Sequence, residues 1–345
     1  MRKFRTLIVL ALVVLAAFTA VAQDAETPTI AEIVVASTTA ETPEFTVLLA
    51  AVQAADPAVI ELLSDPEASV TVFAPTDAAF AAAFEALGVT AADVLADPAA
   101  LTAILLYHVV PGAYDAAYVT SFEEGTLLGT LLPGTALALN ISEEGAFINE
   151  AGIVATDIAA SNGIVHVIDG VLLPPAAEDE MDGEMMEMEE PTLSIAETVV
   201  AASEGDMPEF TVLLAAVVAA DPSILDTLSN GGPFTVFAPT DAAFGALLEA
   251  LGATAEDVLA NTDLLNTVLA YHVVPGTFAA ADVVGAAGEE GFSIATLLPG
   301  GALDVALVDG GVVINGSVNV VATDVYATNG VIHVIDAVLV PATEE

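Results

Sequence analysis

The feature that most constrains this chain is an internal duplication. Val70-Thr-Val-Phe-Ala-Pro-Thr-Asp-Ala-Ala-Phe80 returns as Phe234-Thr-Val-Phe-Ala-Pro-Thr-Asp-Ala-Ala-Phe244, and Pro43 to Val52 returns as Pro208 to Val217. Downstream, Tyr107-His-Val-Val-Pro-Gly112 recurs at Tyr271 to Gly276, and Leu131-Leu-Pro-Gly134 at Leu297 to Gly300. Asn162-Gly-Ile-Val-His-Val-Ile-Asp169 is matched by Asn329 to Asp336. Equivalent residues stay 164 to 167 positions apart, so insertions are few. A unit of about 150 residues is domain-sized, far longer than a solenoid repeat. The chain therefore reads as two copies of one domain, residues 29–175 and 192–341.

Each copy changes character partway. Its first half carries helical spacing. Thr42 is expected to cap a helix with Pro43 in its first turn and Phe45, Leu48, Leu49 and Val52 on one face. Thr76 or Asp77 is expected to cap the helix bearing Phe80, Phe84 and Leu87, with Gly88 as its stop. Thr90 with Asp93, and Thr254 with Asp257, resemble capping boxes. Leu101 to His108 is apolar on most sides and predicts a buried helix. Ser69 to Phe73 is the exception, a β-branched run ended by Ala74-Pro75. The second half predicts strands over 136–141, 147–149, 153–156 and 164–173, with Asn162-Gly163 as a tight turn. Helices first and antiparallel strands afterwards predict an α+β domain.

Between the copies, residues 176–191 hold eight acids and four of the six methionines, which predicts an extended acidic linker. At the other end, Met1 to Thr6 contains Arg2, Lys3 and Arg5, followed by the apolar run Leu7 to Phe18 and then Ala20-Val21-Ala22. This pattern predicts a signal peptide, residues 1–22, cleaved before Gln23, with a short segment 23–28 ahead of the first domain and a tail 342–345 after the second. The expected location is extracellular or at the cell surface.

Those three basic residues are the only Lys or Arg in 345 residues, against 49 Asp and Glu, for a formal charge of −46. Beyond Arg5 there is no basic patch, phosphate-binding lysine or arginine finger, which argues against nucleic acid and direct anionic-membrane partners. Hydrophobic residues make up 56% of the chain, too many for a disordered polyacid. Crowded carboxylates without cations predict that mild acidification at low salt stabilises the fold. There is no cysteine, so packing rather than disulfides must hold the domains.

The two repeated signatures resemble those of the fasciclin-like domain family. The first spans Thr71 to Phe80 and Thr235 to Phe244, the second Asn162 to Asp169 and Asn329 to Asp336, with the Tyr-His pair between them. The resemblance implies tandem domains, each a β-sandwich or wedge with flanking helices, and a secreted or surface-attached role in adhesion or matrix contact. It implies protein or polysaccharide partners at a cell surface or matrix. It also marks Tyr107-His108 and Tyr271-His272 as candidate partner-binding residues, against a structural reading in which the histidine organises the loop through Pro111-Gly112. Thr71, Pro75, Asp77, Asn162, His166 and Asp169, with Thr235, Pro239, Asp241, Asn329, His333 and Asp336, are read as structural signature residues.

No nucleophile stands beside a base, and no cofactor loop is present, so an enzyme is not expected. No catalytic, cofactor-binding or metal site is assigned. Zinc at His108, His166 and Asp157 would need convergence that spacing does not indicate. Without an EF-hand pattern, only diffuse Ca²⁺ or Mg²⁺ association is expected at pairs such as Glu123-Glu124, Glu143-Glu144 and Glu289-Glu290. The rival reading is an extracellular carrier of a small or polymeric ligand in one domain. A sizeable apolar pocket would favour it.

Overall fold

A computed structural model describes residues 27–40, 43–142, 145–175, 191–204, 208–287, 291–308 and 310–341. The signal segment, nearly all of the acidic linker, Thr42, the glutamate pairs at 143–144 and 289–290 and the tail 342–345 lie outside the described residues.

In domain 1, helices Ile30–Thr38, Thr46–Ala54 and Pro57–Ser64 precede β1 (Val70–Pro75). Helices Asp77–Leu87, Ala91–Leu95 and Pro98–Tyr107 lead to β2 (Val109–Pro111), and the short helix Ala116–Val119 to β3 (Leu127–Gly129). Strands β4 (Ala136–Ser142), β5 (Gly145–Ile148), β6 (Ala151–Ala160) and β7 (Gly163–Ile168) complete it. Domain 2 repeats the order with β8 (Phe234–Pro239), β9 (Val273–Pro275), β10 (Phe292–Ala295), β11 (Ala302–Val308), β12 (Gly311–Ile314), β13 (Val318–Ala327) and β14 (Gly330–Ile335).

The first strand of each domain explains the layering. Val70, Val72 and Ala74 alternate onto the helical side, where they pack with Leu48, Val52, Leu101 and Leu105. Phe73 points to the opposite side, into a second cluster with Tyr107, Leu128, Leu137 and Ile168. Both faces of β1 are thus covered, which is why it reads as a continuous apolar run. Its sheet is not purely antiparallel as the sequence suggests. β1 runs parallel to β7 and antiparallel to β2, and β8 lies likewise between β14 and β9. A connection of more than eighty residues separates β1 from β7, long enough to return the chain in the same direction.

Gly163 opens this parallel pair. Its φ is +147°, and a Cβ there would collide with the Val70 carbonyl oxygen; Gly330 sits the same way against Phe234. The tight turn expected at Asn162-Gly163 does join β6 to β7, and the glycine is also required for close approach to β1.

The final strand is shorter than predicted: it ends at Ile168, and residues 169–173 continue as loop. The helix starting near Thr42 begins instead at Thr46, after Phe45 in a left-handed conformation with φ +62°. Gly88 terminates Asp77–Leu87 at φ +67°, and both Thr-Asp capping boxes form.

The domains do not hang on a free tether. Leu127 of β3 pairs with Ile294 of β10, joining the strands of both domains into one 14-stranded order. Ala295 belongs to the inner core of domain 1, and Leu127 packs on that of domain 2. The Tyr118 hydroxyl donates to the Thr296 carbonyl, and Gly134 N–H donates to Thr277 O at 2.8 Å. Besides the acidic segment between them, the two domains are joined by this direct contact.

Candidate functional site

Most signature residues tie two or more elements together, and most of these ties recur in both domains. Thr71, fully buried, donates through Oγ1 to Gly112 O at 2.7 Å and accepts from Tyr114 N–H at 2.8 Å. Thr235 makes the equivalent bonds to Gly276 and Phe278. This threonine, not the histidine, fixes the turn after β2. Pro75 and Pro239 end their strands and hand the chain to Thr76 and Thr240, which cap the following helices.

Asp77 does not cap its own helix. Its carboxylate accepts from Thr46 N–H at 3.1 Å, Thr46 Oγ1 at 2.6 Å and Val47 N–H at 2.9 Å, closing the start of helix Thr46–Ala54. In return Glu44 Oε1 accepts from Asp77 N–H at 2.6 Å. Asp241, with Thr211, Val212 and Glu209, repeats the arrangement. Burial raises the Asp241 carboxyl, but the bonds from Thr211 and Val212 outweigh that and hold it below its usual range.

Asn162 is 1% exposed and bridges three segments. Its Oδ1 accepts from Ile30 N–H at the start of the first helix, and Nδ2 donates to Leu63 O at the end of the third. Asn329 does the same with Ile195 and Leu228, adding Gly231. Exposed Asp169 accepts from Gly152 N–H at 2.7 Å, and Asp336 accepts from both Asn319 N–H and Nδ2.

The four histidines are buried, and each ring bonds main chain on both nitrogens. His108 Nδ1 donates to Ile104 O at 2.7 Å, while Nε2 accepts from Leu172 N–H at 2.9 Å. His272 bonds Val268 and Leu339 identically. His166 has the opposite tautomer: Nε2 donates to Tyr114 O at 2.9 Å, and Nδ1 faces Asp157 N–H at 3.3 Å. His333 repeats this with Phe278 and Asp324. Asp157 and Asp324 reach that position through a left-handed conformation at a β-bulge. Desolvation pushes His108 and His272 down to about 4, and it lowers His166 and His333 as well.

These placements correct two readings. The histidine of the Tyr-His pair anchors the segment after the last strand, through Leu172 or Leu339, rather than the Pro111-Gly112 loop. Nor do Tyr107, His108, Tyr271 and His272 present themselves to a partner, being only 3–6% exposed. Tyr107 Oη donates to Ala136 O and accepts from Asn149 Nδ2, and Tyr271 does so with Ala302 and Asn315. With every imidazole nitrogen bonded, none is free for zinc. Among the described residues no group of three or more His, Cys, Asp or Glu converges as metal ligands.

Sequence reasoning missed Glu44, Thr46 and Asn149 with their counterparts Glu209, Thr211 and Asn315. The available signal was their recurrence at the repeat offset.

Apolar cavities occupy the helical layer of both domains beside the Tyr-His histidine. The domain 2 cavity measures about 200 Å³, lined by Ala216, Phe244, Leu251, Val258, Leu264 and His272 among others. Its domain 1 equivalent, around Phe80, Phe84, Leu101 and His108, measures about 50 Å³.

A two-domain α+β chain whose repeated signatures lock helices to a mixed sheet defines the structural class. The fasciclin domain profile matches residues 43–174 and 208–341, and the chain belongs to that family. Protein sll1483 of Synechocystis sp. is 44% identical over 131 residues, covering 38% of this chain and 68% of that protein. Immunogenic protein MPB70 of Mycobacterium bovis is 33% identical over 200 residues, covering 55% of this chain and 96% of that protein. A solved FAS1 domain pair from the insect cell adhesion molecule fasciclin I covers 84% of this chain and 94% of its own, at 23% identity and a TM-score of 0.36.

Proposed function

We propose that this chain is an exported, non-enzymatic adhesion module that contacts protein or polysaccharide at a cell surface or matrix. One observation carries the reading. The side chains that could do chemistry, the four histidines and the signature aspartates, are bonded to main-chain groups in the same way in both domains. Conserving their bonds between the repeats preserves a scaffold, which leaves recognition to exposed surface. Family membership supports the same reading.

The charge shapes the contacts. A surface without Lys or Arg attaches through hydrogen bonds, apolar patches, cationic partner groups or diffuse bridging by Ca²⁺ or Mg²⁺. Two domains joined through β3 and β10 present their surfaces at a set spacing, so a repeating polymer or a dense cell surface is engaged twice.

The test is retention of the labelled full chain on a panel of matrix proteins, polysaccharides and intact cells, with and without calcium. The expected result is saturable retention on at least one surface, competed by unlabelled chain and undiminished in Asp169→Asn. Retention nowhere on the panel would overturn the reading.

A further inference from the structure

The walls of the two helical-layer cavities differ at several positions: Ile104 and Leu173 of domain 1 are Val268 and Val340 in domain 2, and the domain 1 wall has a second aromatic. Phe84 in domain 1 lines its cavity, its ring 6.0 Å from that of Phe80. The equivalent position in domain 2 is Leu248. Leu248 does not line the domain 2 cavity, whose wall takes Leu247 from this helix where domain 1 has Ala83; the flat ring in the domain 1 wall thus has no counterpart, and about 200 Å³ remains.

The chemistry of this space is one-sided. His272 is its one titratable wall residue, and both of its nitrogens are taken by Val268 and Leu339. No polar group is left to hold water or orient a hydrogen-bonding ligand. Apolar cavities of about 150 Å³ stay dry and admit small apolar molecules. At the mouth Leu251 is 60% exposed and Val340 51%, so an apolar track leads from the cavity to the surface.

What surrounds the mouth selects the other end of the ligand. Glu249, Glu256, Asp257 and Asp263 are exposed on the three helices that frame it, and no Lys or Arg occurs after Arg5. A carboxylate or phosphate head would meet only like charge, whereas a cationic head is complementary. We propose that domain 2 binds a single-chain alkyl amphiphile with a cationic head, its tail in the cavity beside His272 and its head among these carboxylates. This assignment is independent of the adhesion reading and adds a ligand-carrying role to one domain.

The test is calorimetric titration of the full chain with decyltrimethylammonium below its micellar concentration. Decyl maltoside and decanoate serve as neutral and anionic heads on the same tail, and tetramethylammonium as the head alone. One saturable site is expected, with affinity in the order cationic, neutral, anionic, a spread that narrows with added salt, and no saturable binding of tetramethylammonium. Leu247→Trp, at a residue of the cavity wall, should weaken binding about tenfold or more, the loss for excluding two or more buried methylenes. Phe84→Leu should open the domain 1 space and raise the stoichiometry from one to two, a readout that decides the matter even if Leu247→Trp fails to fold. Multi-site binding untouched by both substitutions would reveal surface adsorption and overturn the cavity. Decanoate binding as tightly as the cation would overturn the head assignment.

Discussion

Asp77 Oδ1 accepts a hydrogen bond from Val47 N–H at 2.9 Å, so the acid in the first turn of one helix caps the start of another. Because Glu44 reciprocates onto Asp77 N–H, the two helix starts hold each other. Removing a side-chain cap costs about 0.5–2 kcal/mol, and this carboxylate satisfies two backbone donors and a hydroxyl. Asp77→Ala is expected to destabilise by about 2 kcal/mol, at the upper end of that range. Asp241→Ala should do the same in domain 2, and urea denaturation of the full chain measures both.

Asn162 should be the costlier substitution. Asn162→Ala strands a buried N–H of Ile30 and removes a donor from Leu63 O, each orphaned group costing about 1–3 kcal/mol. Asn162→Asp keeps an acceptor for Ile30 N–H but buries a carboxylate against the Leu63 carbonyl, so at pH 7 it should destabilise at least as much as Asn162→Ala. A loss below about 1 kcal/mol in Asn162→Ala would contradict the bridging role.

The buried histidines pull the pH dependence in the direction opposite to carboxylate crowding. His108 and His272 titrate near 6.5 when unfolded and at about 4 when folded, so between these values the unfolded chain binds more protons. Their contribution is fully present above pH 6.5 and is lost as pH falls toward 4, about 3 kcal/mol for each histidine. His166 and His333 act in the same direction. Melting at fixed ionic strength should show a flat plateau from pH 8 to 6.5 and a steady decline below it. A rising melting temperature over that decline would mean that carboxylate repulsion dominates.

Tyr114 offers a stabilising change. Its ring stacks on Tyr118 at 4.1 Å, but its buried hydroxyl makes no hydrogen bond of good geometry, and domain 2 carries Phe278 at this position. Tyr114→Phe keeps the stack and removes the unsatisfied group, with an expected gain of about 1 kcal/mol. A lower melting temperature would show that the hydroxyl is satisfied in solution.

How much of this was legible in the sequence depended on the distance between partners. The Thr90–Asp93 box and the Gly88 stop involve neighbours in sequence, and their residue types specify the geometry directly. Asp77 looked like a local cap because its true partners, Thr46 and Val47, lie some thirty residues upstream. His108 was placed correctly at the end of its helix, but its anchor is Leu172, 64 residues on. Strand β1 was visible as a β-branched run, while its parallel pairing depends on where the long connection returns. The cavity was invisible in either copy alone. Alignment of the repeats exposes the Phe84–Leu248 difference, but only packing shows that Phe84 lines a cavity and Leu248 does not.

On this reading all four histidines are neutral, buried fasteners rather than contact or reactive groups. Nitrogen-15 NMR of the imidazoles across a pH titration of the folded chain tests it most directly. The account predicts two rings in the Nδ1–H form, His108 and His272, and two in the Nε2–H form, His166 and His333. It also predicts that His108 and His272 stay neutral until about pH 4. Titration of His108 or His272 near 6.5, with averaged tautomers, would contradict it.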